Sequence, residues 1–192
     1  MASANWLHDA VCGGLPLEEF VRRLMFFPAM KQKKAKEKAR KGREIHQVAA
    51  LPYRLNSGAL EVLLLTSRTT RRLIIPKGWQ MRGTTDSKVA EIEARQEAGV
   101  IGLIEPKPCG SYQYWKRLKN AFVPVKVIVY ALKVESELSD WKEMEERKKR
   151  WLTLAQAVSL VEEPTLASLL GGFRPGDVVD GEQSKENHVT SD

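Results

Sequence analysis

The segment Ile75-Pro76-Lys77-Gly78-Trp79, with Glu93, Glu97 and Gly99-Val100 behind it, constrains this chain more than any other part of its sequence. Pro76 and Gly78 punctuate the chain and predict a loop. Thr85 or Asp86 supplies a helix cap, with Val89 and Ala90 as early apolar residues. Gly99 suits the left-handed position that ends a helix. Residues four apart on a helix share a face, with roughly 6 Å between their Cβ atoms. Glu93 and Glu97 have that spacing, so loop carbonyls facing the pair would complete a cluster of hard oxygen donors. Such donors suit magnesium or manganese, which retain several waters and share phosphate oxygens. Acid pairs four apart also occur on the solvated faces of ordinary helices, so the surrounding pattern has to decide.

That pattern resembles the Nudix box, G-x5-E-x7-R-E-U-x-E-E-x-G-U, where U is a bulky aliphatic residue. Gly78 opens it, and Glu93, Glu97, Gly99 and Val100 match. Ala94 stands where a larger aliphatic residue is usual. Thr84 replaces the first Glu, Ile92 the Arg, and Gln96 the first Glu of the E-E pair. Thr84 and Ile92 together remove two charges at once, which avoids an unpaired, partly buried one. Gln96 offers one neutral carbonyl oxygen in place of a carboxylate. Lys77-Gly78-Trp79, Ser139-Asp140-Trp141-Lys142, the run Arg147 to Leu152 and the ending Glu163 to Leu170 are similar to one subgroup. Its members cleave diphosphoinositol polyphosphates and diadenosine polyphosphates, and it includes compact bacterial proteins. The similarity runs from about residue 45 to residue 172.

The resemblance implies an α/β fold, a Nudix-type α/β/α sandwich with a mixed sheet. Residues 1–44 form a helical and basic N-terminal extension, 45–172 the domain, and 173–192 a polar tail expected to be disordered. The implied activity is divalent-metal-dependent hydrolysis of a pyrophosphate bond in a phosphorylated small molecule. A dinucleoside polyphosphate, a nucleoside diphosphate derivative and a diphosphoinositol polyphosphate all fit. By the same resemblance Gly78, Glu93, Gln96 and Glu97 ligate Mg2+ or Mn2+, and Glu93 and Glu97 are catalytic. Glu143, Glu145 and Glu146 are candidates for a third acid, or else part of a solvated mixed-charge segment. Arg68, Arg71, Arg72 and Lys77 are candidates for polyphosphate contacts, and Trp79 for lining the site. Lys116, Arg117 and Lys119 form a second basic group. Tyr112, Tyr114 and Trp115 either stack on a base or pack across strands. The alternative function is a catalytically weak domain that senses nucleotides or binds a partner; Gln96 favours it. Processing of RNA 5′ ends is a third option.

Strand-like runs cover Ile45 to Tyr53, Leu60 to Thr66, Leu73 to Ile75, Gly110 to Lys116 and Phe122 to Val134, with a short one at Trp151-Leu152. Asn56-Ser57-Gly58 and Lys119-Asn120 read as turns. Thr153 with Gln156 makes a capping box for a helix to Leu160 or Val161, and Pro164 to Leu170 a final helix. Leu17, Phe20, Val21 and Leu24 have helical spacing, for packing on the domain or for a partner. The net charge of +7 is local. Residues 31–44 carry eight Lys and Arg against two Glu, and read as a solvated linker or, second, a nucleic-acid-binding arm. Cys12 and Cys109 lack ligand spacing and read as reduced thiols, so a cytoplasmic protein is expected. No apolar run approaches the roughly 18 residues of a membrane span, and Met1 to Leu15 has no secretory pattern.

Overall fold

The sheet is built around β1 (Ile45–Asn56), whose residues Val48 to Leu51 are buried on both faces. Strands covered on both sides read as continuous apolar runs, as this one does. The computed structural model describes residue 37, residues 45–118 and residues 121–176. The expected N-terminal helix, the basic arm apart from residue 37, the turn at 119–120 and the tail from 177 lie outside the described residues.

β2 (Ala59–Thr66) folds back antiparallel on the end of β1. Ser57 and Gly58 both take positive φ, 50° and 82°, the backbone that a tight two-residue hairpin requires. β7 (Ala121–Glu137) lies parallel to β1, registering Ile45 with Val125 through to Tyr53 with Lys133. β6 (Gly110–Leu118) pairs antiparallel with the first half of β7, and β5 (Val100–Ile104) with its second half. On the other side, β2 carries β3 (Leu73–Ile74) and β8 (Lys149–Thr153). The start of β1 is free of β2 and instead pairs with β4 (Lys77–Trp79).

Two cores cover the two faces of this mixed sheet. On one face Leu51, Val62, Leu64 and Val125 pack beneath α2 (Leu154–Leu160) and α3 (Pro164–Gly172), which supply Ala157, Leu166 and Leu170. On the other, Val48, Ala50, Leu63 and Leu132 meet α1 (Asp86–Glu93) and the turn that follows it. The result is the expected α/β/α sandwich. Thr85 caps α1, accepting from the Lys88 N–H at 3.4 Å. Thr153 and Gln156 form the expected capping box of α2. Phe173 is buried against Tyr53 in edge contact at 5.5 Å, so packing continues one residue past the expected boundary at 172.

Three local features differ from expectation. The chain after Pro76 is strand, not loop, because Pro76 O accepts from the Ala50 N–H at 3.1 Å and returns the backbone to the β1 ladder. β5 carries little strand signal because Gly102 interrupts it. A Cβ there would lie 1.9 Å from Lys133 O, at an irregular step of the β5–β7 register. The box helix does not stay α-helical to Gly99; residues Ala94–Ala98 form a π-helical turn, an insertion that often accompanies functional sites.

Gly99 closes that turn with φ 64°, and a Cβ on it would come 2.5 Å from the Trp141 ring. Left-handed backbone and overpacking therefore act together. Gly99→Ala is expected to lower the unfolding free energy by about 2–4 kcal/mol in urea denaturation. A midpoint equal to that of the unaltered chain would contradict the packing described.

Candidate active site

Gly78 pairs with Val48 in the ladder and turns its Cα toward α1. A Cβ at this position would lie 1.8 Å from Glu93 Oε1 and 2.1 Å from its carboxyl carbon. The Glu93 carboxylate thus occupies the volume that any other residue at 78 would fill. Glycine is required here for close approach, not for a turn.

One turn further on, Glu97 is buried, 8% exposed. Its Oε2 accepts from the Lys77 N–H at 3.0 Å, and its Oε1 is ion-paired with Arg147 Nη2. Arg147 also donates from Nε to Glu143 Oε2 at 2.6 Å and from Nη1 to Thr66 O at 3.1 Å. Burial pushes the Glu97 carboxyl up from its ordinary value; Lys77 and Arg147 oppose the rise and Glu143 adds to it. Removing one member of a buried pair leaves the other uncompensated, at a cost of about 3–5 kcal/mol.

Along a strand successive side chains point to opposite faces. Lys77 and Trp79 accordingly leave Gly78 on the other side, toward β6. Lys77 Nζ sits 5.5 Å from the centre of the Tyr114 ring, and Lys116 Nζ the same distance from that of Trp79. The Tyr114 hydroxyl donates to Gln47 Oε1 at 2.6 Å. Burial lowers Lys77 to about 8; Glu97 works against this, while Lys116 and Arg147 add to it. Lys116 is lowered too, by burial first, with Glu97 opposing. Two desolvated ammonium groups therefore lie within electrostatic reach of Glu97, where an anionic ligand would relieve their repulsion. Among the described residues, the buried Tyr112 hydroxyl and Glu163 Oε2 have no hydrogen-bond partner.

The structure brings together Gly78, Glu93 and Glu97, with Lys77 and Trp79 adjoining. It does not bring the rest of the expected set to them. Gln96 Oε1 accepts from Lys142 Nζ at 3.3 Å and lines a separate cleft with Ile92, Arg95, Leu138 and Trp141. The π turn and the anchored 141–148 segment direct it there, because Glu143 N–H donates to Gln96 O at 3.2 Å. Arg68 pairs with Glu143 at 3.7 Å and Glu146 at 3.3 Å, and Arg71 donates to Glu146 O at 3.0 Å. Both contact that segment, and Arg68, its side chain 57% exposed, also lies within electrostatic reach of Glu97. Arg72 pairs with Glu163 at 2.9 Å in the link between α2 and α3. Glu143 does reach the site, but as a partner of Arg147. Arg147 is the residue that sequence reasoning missed. Its signal was the four-residue spacing from Glu143, concealed within a run of six charges ending at Arg150.

A divalent ion asks for hard oxygen donors and tolerates few of them if water and substrate supply the rest. The cradle of Gly78 and Glu93 fits that requirement in part, with the Glu93 carboxylate as its oxygen donor; both oxygens of Glu97 are already engaged, by the Lys77 N–H and Arg147. Among the described residues no group of three or more His, Cys, Asp or Glu side chains is placed to hold a metal. Gln96 faces Lys142, away from the Glu93–Gly78 cradle.

No family model matches the chain. It is 36% identical over 129 residues to Nudix hydrolase 12, mitochondrial, of Arabidopsis thaliana, covering 57% of this chain and 63% of that protein. It is 32% identical over 122 residues to Nudix hydrolase 13, mitochondrial, of the same plant, covering 59% of each. The chain thus spans about three fifths of the length of these curated relatives. Among solved structures, a C. elegans Ap4A hydrolase binary complex superposes with a TM-score of 0.52 at 21% identity, covering 66% of this chain and 93% of that one. That likeness concerns the fold, and it matches the α/β/α sandwich described above. Together with the sequence similarity to the plant proteins, it supports membership of the Nudix hydrolase family.

Proposed function

We propose that this chain is a pyrophosphohydrolase that acts, with magnesium or manganese, on a nucleotide derivative, and that a dinucleoside polyphosphate is its substrate class. The observation that carries this is the contact of Glu93 with Gly78, beside which Glu97 takes the Lys77 N–H and lies within electrostatic reach of the Lys77 and Lys116 ammonium groups. Acids that can orient water and cations that can hold phosphate then face one another across β4. The plant relatives, themselves named Nudix hydrolases, support hydrolysis of this general kind.

A bound metal ion would lower the pKa of its water and neutralise charge on the phosphoryl oxygens. The chain's own residues do the remaining work. Glu93, with its carboxylate fixed against Gly78, takes up the proton of the attacking water. Glu97, held by the Lys77 N–H and Arg147, keeps its orientation through the reaction. Lys77 and Lys116 draw the polyphosphate into line, and Trp79 forms an apolar wall. Water oxygen bonds to phosphorus and a P–O bond of the anhydride breaks, with the leaving phosphate carrying the negative charge. Positioning supplies much of the acceleration in such transfers.

A second reading has an observation of its own. Both Glu97 oxygens are engaged by protein groups and Gln96 faces Lys142, as expected of a domain that binds a nucleotide derivative without turning it over.

The two separate in one experiment: product release from dinucleoside polyphosphates, nucleoside triphosphates, nucleotide sugars and inositol pyrophosphates, with and without magnesium. Ap4A, the substrate named for the C. elegans neighbour, leads the panel. Metal-dependent release is expected; tight binding with no release would support the second reading. Glu97→Gln is expected to cut turnover by at least about tenfold while the thermal transition stays cooperative. Gly78→Ala should do the same by displacing Glu93, and turnover unaffected by it would show that the contact has no part in the chemistry.

A further inference from the structure

Arg147 is held more firmly than a substrate-binding arginine would be. Its three side-chain nitrogens are all used, on Glu143, Thr66 O and Glu97. Its backbone N–H donates to Glu143 O at 3.1 Å. Next to it, Lys148 N–H donates to Thr66 Oγ1 at 3.0 Å, and Lys148 O accepts from Thr66 N–H at 2.9 Å. The segment is pinned to the π turn by the Glu143 N–H to Gln96 O bond, and to the β2–β3 connection by Arg68 and Arg71. The guanidinium is therefore a fixed cation, buried at 7% exposure, on one oxygen of the acid that would serve as a metal ligand.

We infer that Arg147 is the resident counter-ion of Glu97 and excludes a divalent ion from that carboxylate, so that the site holds at most one ion, on the Glu93–Gly78 side. Two cations on one carboxylate oxygen repel each other, and a fork anchored at three points cannot swing aside without breaking all three contacts. The chain replaces a second metal with an arginine. This concerns the site of the proposed hydrolysis and rests on that reading for the use to which the ion is put. The test reads ion binding without substrate, so it can fail while the hydrolysis stands, and the reverse.

Mn2+ is titrated into the full chain and counted by electron paramagnetic resonance. The unaltered chain should bind no more than one ion; two ions would overturn the inference. Arg147→Met should gain one ion per chain or bind Mn2+ at least about tenfold tighter, as expected where a fixed charge is removed beside an ion. Adding Glu97→Gln to that variant should cancel the gain. Wild-type stoichiometry and affinity in Arg147→Met, or a gain that survives Glu97→Gln, would also overturn it. Should Arg147→Met lose its cooperative thermal transition, Arg147→Gln, which keeps a donor for Thr66 O, is measured with the same expectation.

Discussion

The closeness of Glu93 to Gly78 is the constraint on which the rest of this structure depends. A helix can lie that near a strand only if its buried face is small. Ala90, Ala94 and Ala98 provide that face, and all three are fully buried. Ala94 departs from the bulky residue usual in the box, and its size matches the close approach of α1 to the sheet. With the helix so seated, Glu97 falls opposite the Lys77 N–H, and a strand backbone becomes one wall of the site. The π turn and Gly99 then return the chain to the sheet under Trp141.

The electrostatics follow from this geometry. Glu97 and Glu143 share one guanidinium, while Lys77 and Lys116 lie on the far side of β4 with their charges partly stripped of water. A buried ion pair of this kind contributes little net stability, because desolvation offsets its attraction. Its effect here is positional, since Arg147 links β2, the box helix and the 141–148 segment through side-chain contacts alone. The site is consequently anchored on the Arg147 side and positively charged on the lysine side.

What could be read in the sequence was what neighbouring residues decide among themselves. The Asn56-Ser57-Gly58 turn, the Thr85 cap and the Thr153–Gln156 box are local hydrogen-bond or backbone requirements, and all are present. The spacing of Gly78, Glu93 and Glu97 likewise belongs to one loop and one helix. The partners of Arg68, Arg71, Arg72 and Gln96 come from segments 46 to 91 residues away, and no spacing rule reaches that far. Each side chain had several solvent-facing or site-facing options, and the placement of the 141–148 segment, or for Arg72 of the link between α2 and α3, selected among them. β5 escaped notice for a related reason. Gly102 weakens the strand signal locally, yet it is required by a backbone carbonyl of β7 that the local sequence does not contain.

The most direct measurement is anomalous diffraction from crystals of the chain soaked in Mn2+. One peak is expected, on the Glu93 carboxylate beside Gly78, with Arg147 still on Glu97. A pair of peaks with Arg147 displaced, or a peak at Gln96, would contradict the arrangement described.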